Sequence, residues 1–197
     1  MRIVPIELDD ENLGVFAISI VDVPAIQENF VSLSGKQNKF TLAEVDKEKN
    51  LLIGPALIPN KQILRTDDKG EDYYIYFPAN VIEKAAFKFM KNSMHHNHTI
   101  MHDKKIEGLA VVETWLIEDT ERDKSAAYGF KLPKGTWMVS VHVDNPEVWE
   151  KQVKSGKVKG FSIEAYFSEK QQMKSNETAE IQSVLNSLCD SLSKQAL

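Results

Sequence analysis

The sequence predicts an α+β fold, rich in strands, with two or three helices around a single core. Three observations carry this prediction. Apolar runs with β-type alternation or β-branched content recur through the first 168 residues, as at 14–21, 72–77, 137–143 and 160–167. Only two segments of that stretch, 81–91 and 145–156, combine a helical apolar period with recognisable ends. A chain of 197 residues, 42% of them apolar, is long enough for one proper core and short for two.

Taken in order, Gly14 to Val21 reads as a strand, rich in β-branched residues and ended by Asp22 and Pro24. A polar loop at 35–39 follows, then a strand pair at 40–46 and 51–58 joined through 46–50. A further strand is expected at 72–77. The first helix is expected at 81–91, with Asn80 as its cap and Glu83 at capping-box spacing. Val81, Ile82, Ala85, Ala86 and Phe89 then share one face. Two long strands, 108–118 and 137–143, flank a charged, glycine-bearing turn region at 119–136. The second helix has Asn145 as cap, Pro146 at its first position and Gly156 past its last turn. The strand at 160–167 closes a body that spans residues 1–168.

From Ser168 the composition shifts to Gln, Lys, Ser, Asn and Glu. Residues 168–177 read as a linker. Ile181, Val184, Leu185, Leu188 and Leu192 then recur at helical spacing, so the 169–197 tail is expected to end in an amphipathic helix.

Composition excludes several functions. A formal charge of −5 leaves no basic excess to neutralise phosphates, so a nucleic-acid partner is not expected. The one cysteine, Cys189, permits no intramolecular disulfide, which suits a reducing compartment. The first ten residues, broken by Pro5 and ended by acids, lack a signal-peptide core, and no run approaches the roughly 20 apolar residues of a membrane span. A soluble intracellular protein is the expectation.

Chemistry concentrates in three places. On the strand at 160–167, Phe161, Ile163, Ala165 and Phe167 form an apolar face, while Ser162, Glu164 and Tyr166 share the other. A serine on a rigid strand beside Gly160 suits a nucleophile, and equally suits the polar side of a half-buried strand. Four of the five histidines crowd into 95–102, namely His95, His96, His98 and His102. Serine attack needs a base that titrates near neutrality, and imidazole is its usual source. The same cluster could ligate zinc, but no His-Glu-x-x-His is present and Cys189 lies far away. Glu113 interrupts the apolar row Leu109, Val111, Trp115 and Ile117. A carboxylate there needs a partner: a histidine it orients, or a lysine at a strand edge.

Together these stretches resemble the XkdF-like family of phage prohead proteases. The resemblance rests on Gly14 to Ala25 (GVFAISIVDVPA), His102-Asp103, Val112-Glu113-Thr114-Trp115, and Pro133-Lys134-Gly135-Thr136-Trp137 running on to Gly160-Phe161-Ser162-Ile163-Glu164. It spans residues 10 to 168 and excludes the tail. It implies an assemblin-like fold, a β-barrel core flanked by helices, as in herpesvirus maturation proteases. It also implies Ser162 as nucleophile and His102 as base. For the third member Glu113 is the first choice, with His98, His142, Asp103 and Glu164 behind it. The implied substrates are the scaffold and major capsid proteins of the assembling prohead in the bacterial cytoplasm. No cofactor or metal is implied, and self-association into a homodimer or higher oligomer is.

Overall fold

The structure, a computed structural model, describes residues 2–8, 14–33 and 49–169. It begins with strands β1 (Ile3–Glu7), β2 (Gly14–Val21), β3 (Val31–Leu33), β4 (Leu51–Leu57), β5 (Ile63–Thr66) and β6 (Asp72–Tyr76). Helix α1 (Ala79–Lys91) and a single 3₁₀ turn at Met94–His96 lead into β7 (His98–Ile100), β8 (Lys104–Ile106) and β9 (Leu109–Leu116). The short helix α2 (Lys124–Ala127) precedes β10 (Trp137–Val143), followed by α3 (Pro146–Val148), β11 (Gly160–Tyr166) and β12 (Ser168–Glu169).

These strands form three sheets of four, ordered β12-β1-β6-β5, β3-β4-β10-β9 and β11-β2-β7-β8. The strand-rich α+β expectation holds. The closed barrel does not: the described strands make three open sheets that share one apolar core. That core runs through Trp137, Trp149, Phe89 and Phe161, all essentially inaccessible. Helix α1 lies across it, with the Phe89 ring edge-on to Trp137 at 5.5 Å.

The helix ends show how local chemistry worked out. Helix α1 starts two residues before the expected point. Pro78, extended at φ −62° and ψ 151°, is its cap residue, and the Pro78 carbonyl accepts from both Val81 and Ile82. Asn80 therefore sits inside the first turn and caps nothing. Asn145 behaves as expected, its side-chain oxygen accepting from the Glu147 and Val148 amides at 3.0 and 3.2 Å. After Val148 the helix widens into a π turn at Trp149–Val153, with Lys154 N–H donating to Trp149 O, and Gly156 ends it at φ +71°.

One further reading needs correction. Ser168 and Glu169 are not linker but β12, paired antiparallel with Glu7 and Ile6 of β1. The histidine-rich stretch runs from the 3₁₀ turn at Met94–His96 into β7 and the hairpin to β8. The expected strand at 40–46 and the tail helix lie outside the described residues. Among those described, no helix is long and apolar enough to cross a membrane.

Candidate active site

The sheet β11-β2-β7-β8 assembles the site. Antiparallel pairing sets Ser162 of β11 opposite Ser19 of β2, and parallel pairing sets Ser19 opposite Thr99 of β7. Residues in register across neighbouring strands project to the same face. Ser162, Ser19 and Thr99 therefore form one row of hydroxyls, and Glu164 joins that face two residues along β11. Ser162 is nearly buried, at 8% exposure. The close approach expected at Gly160 is present: a Cβ there would meet Pro24 Cγ at 2.6 Å and Glu28 O at 2.9 Å. The Phe30 amide donates to Lys159 O at 2.8 Å, locking the 24–30 segment beside the start of β11.

His102 reaches this face from the β7–β8 hairpin. Ile100 pairs with Lys104, and the Asp103 amide donates to Ile100 O, so Met101 and His102 occupy the tip. Both have positive φ, 53° and 58°. Hairpin turns with two left-handed residues usually use Asn and Gly there, because a Cβ costs energy in that region. Two hydrogen bonds hold the strained turn: Met101 N–H to Ile20 O, and His102 N–H to the buried Ser19 hydroxyl, each 3.1 Å. Strain of this kind gathers at functional sites. The Ser19 bond also fixes the distance scale, because it brings the His102 backbone to the residue directly opposite Ser162.

Glu164 completes the arrangement. Its Oε1 lies 3.2 Å from His102 Nδ1 and also accepts from the Thr99 hydroxyl. The carboxylate can cross β2 because the residue opposite it there is Ala17, whose methyl leaves the way open. A proton on Nδ1 directed at Glu164 leaves Nε2 as the basic nitrogen. Among the described residues no hydrogen bond joins the Ser162 hydroxyl to His102. The imidazole is 43% exposed, and β2 lies between its hairpin and the strand of Ser162. Such contacts often tighten only when substrate binds.

The other candidates lie elsewhere. Glu113 is on β9, in a different sheet, where it pairs with Lys124 and accepts from Ser140 Oγ at 3.0 Å. The Lys124 ammonium, followed by the Ser140 hydroxyl, holds the Glu113 carboxyl below its usual range against the opposing effect of burial. Lys124 in turn lies over the Trp115 ring at 3.7 Å. The lysine alternative for Glu113 is thus the one the structure shows, and its expected contact with a histidine is absent. His98 is fully buried on β7, with Nδ1 facing Ile18 O and Nε2 facing His95 O. His142 contacts Asp144 at 3.3 Å on β10, and Asp103 is exposed at the hairpin. Several amides that flank the strand start and line the 119–136 loop already have backbone acceptors. The amides of Lys157 and Val158 bond Gln152 O and that of Lys159 bonds Val21 O, while in the 119–136 loop those of Gly129, Phe130, Gly135 and Thr136 are likewise taken.

Sequence reasoning did not single out Ser19 or Thr99. Both lie in segments it had noted, but nothing local marks a hydroxyl that will stand in register with another strand. The only signal was alternation, which places Ser19 in phase with Ala17 and Val21 as a polar residue among apolar ones.

Comparison with known proteins supplies one match. Residues 39–171, about two-thirds of the chain, match the family model described as "Putative phage serine protease XkdF". Ser162, His102 and Glu164 fall within the match, whereas Ser19 and the rest of the Gly14 to Ala25 stretch precede it. No curated protein and no solved structure matches the chain.

Proposed function

Because the chain belongs to the XkdF family of phage serine proteases, we propose that it is the endopeptidase of the assembling capsid, with Ser162 as nucleophile, His102 as base and Glu164 as the acid that orients the base. The observation that carries this is the 3.2 Å contact between Glu164 and His102 Nδ1, made by a residue on the same face of β11 as Ser162. It gives the histidine the tautomer that nucleophilic catalysis requires.

In the reaction the Ser162 Oγ attacks a peptide carbonyl carbon while His102 Nε2 takes the hydroxyl proton. The carbon–nitrogen bond of the tetrahedral adduct then breaks, and the imidazolium returns the proton to the leaving amine. Water, deprotonated by the same nitrogen, releases the acyl group from Ser162. Glu164 stabilises the imidazolium in both halves, and Thr99 holds Glu164 in place. The sheet supplies the rigidity that holds Glu164 against His102 on the Ser162 face.

The substrates on this reading are the scaffold and major capsid proteins, cleaved inside the prohead in the bacterial cytoplasm. The test is co-expression of the chain with scaffold and capsid protein from its own phage. Wild type should shorten the scaffold, and Ser162→Ala should leave it at full length while melting at the wild-type temperature. Scaffold cleavage that survives Ser162→Ala would overturn the assignment. The open Ser162–His102 gap favours one rival, a catalytically inactive relative that binds scaffold or capsid. That reading predicts no shortening by wild type and equal scaffold binding by both proteins.

A further inference from the structure

Ser162 is nearly closed off from solvent, so a peptide must reach it through an opening that touches it. One such opening is a cavity of about 200 Å³ whose lining includes Ser162 itself. Its near wall is the apolar side of β11, Ile163 and Ala165, and its far wall brings Ile26, Leu57 and Ile75 from three other segments. Among the described residues that line it, Arg65 alone carries a charge. A cavity of roughly 150 Å³ accommodates benzene, so this one, whose exposed lining mixes polar and apolar surface, has room for a single large side chain.

The strand order explains how a peptide would present that side chain. β11 ends its sheet, hydrogen-bonded to β2 on one side, and among the described residues no strand occupies the other. Among the described residues, the 24–30 segment meets that edge near Gly160, through the Phe30 bond to Lys159 O. An extended peptide can add to such an edge, its side chains alternating between the two faces. Residues on the Ser162 face would then lie beside the hydroxyl row, and their neighbours would turn toward the cavity.

We propose that this cavity is a specificity subsite, taking one large apolar side chain (Leu, Ile, Met or Phe) of a peptide laid along the edge of β11 that faces away from β2. That residue lies within three positions of the bond that Ser162 attacks. The inference rests on Ser162 being the nucleophile and adds what the enzyme selects. A small or charged residue at that position leaves the cavity unfilled or desolvates a charge, and one pocket-filling side chain is worth roughly tenfold or more in kcat/KM.

The test uses the full chain and a tryptic peptide library from a bacterial lysate, with cleavage positions read by mass spectrometry. The expected result is Ser162-dependent cleavage with large apolar residues enriched at one fixed position within three of the cut. Ala165→Leu, which narrows the cavity, should shift that position toward Ala and Gly by about tenfold or more. Ala25→Leu narrows it from the opposite wall and serves if Ala165→Leu does not fold. Cleavage with no such enrichment, or with enrichment that neither variant moves, overturns the subsite and leaves the protease standing. If wild type cuts nothing, the Ser162→Ala protein still decides the subsite by fluorescence anisotropy. A labelled hendecapeptide of Gly and Ser with one central Leu should bind at least about tenfold tighter than its all-Gly/Ser counterpart, and Ala165→Leu should erase the difference. Equal binding of the two peptides overturns the subsite independently of hydrolysis.

Discussion

Glu164 can serve His102 only because of its neighbours: Ala17 clears the path across β2, and the Thr99 hydroxyl fixes the carboxylate at the far side. Removing its charge while keeping its shape should therefore act on catalysis more than on folding. Glu164→Gln is expected to lower kcat by roughly 10²–10⁴-fold, the scale seen when an orienting acid is made neutral. Glu113→Gln should leave kcat near wild type. Its lost pair with Lys124 lies at the surface and is worth at most about 1 kcal/mol of stability, read from a urea midpoint. Steady-state kinetics on one peptide decides between them, and the reverse ranking would return the role to Glu113. At this scale Ser162 and His102 could be nominated from the sequence because each belongs to a short distinctive string. The acid could not be singled out: Glu113 interrupts an apolar row, Glu164 lies on the polar face of its strand, and only the fold shows which one faces the imidazole.

Among elements, β7 is short yet carries several links: His98 anchors it in the core, Thr99 binds Glu164, and the hairpin beyond Ile100 carries His102. Burial lowers the His98 pKa, outweighing the carbonyls of His95 and Ile18, which raise it, while His96 and His95 add to the lowering. A base whose folded pKa lies below its unfolded value of about 6.5 takes up its proton more readily when unfolded. Stability from this group is therefore complete above about pH 6.5. It is lost as pH falls from there through the folded pKa, by up to ~1.4 kcal/mol per pH unit. Urea midpoints should fall between pH 7.5 and 5, and His98→Gln should show a shallower fall; parallel curves would refute the assignment. Element boundaries were legible where alternation ran long, as for β2, β10 and β11. The β7–β8 hairpin was hidden because Met101 and His102 are not residues that signal a left-handed turn. The early start of α1 was hidden because Asn80 offered a cap signature that Pro78 pre-empted.

Over the whole molecule, the strands could be read from the sequence but their partners could not. Two of the three sheets depend on parallel pairs, β2 with β7 and β1 with β6, that join segments about 70 to 80 residues apart. No local pattern specifies such pairings, nor whether a sheet closes, so the barrel expected from family resemblance gave way to open sheets. One consequence concerns the tail. The described fold ends where β12 pairs with β1, and the Ser162 row, the hairpin, Glu164 and the cavity all precede that point. Deleting residues 175–197 removes no group placed in the site. If the tail docks on scaffold through its leucine face, as its helical spacing suggests, the deletion should separate two activities. Peptide hydrolysis should stay at the wild-type rate, while co-sedimentation with assembling scaffold and capsid protein should fall. Parallel loss of both would make the tail part of the folded body, and unchanged co-sedimentation would move the docking surface onto residues 1–174.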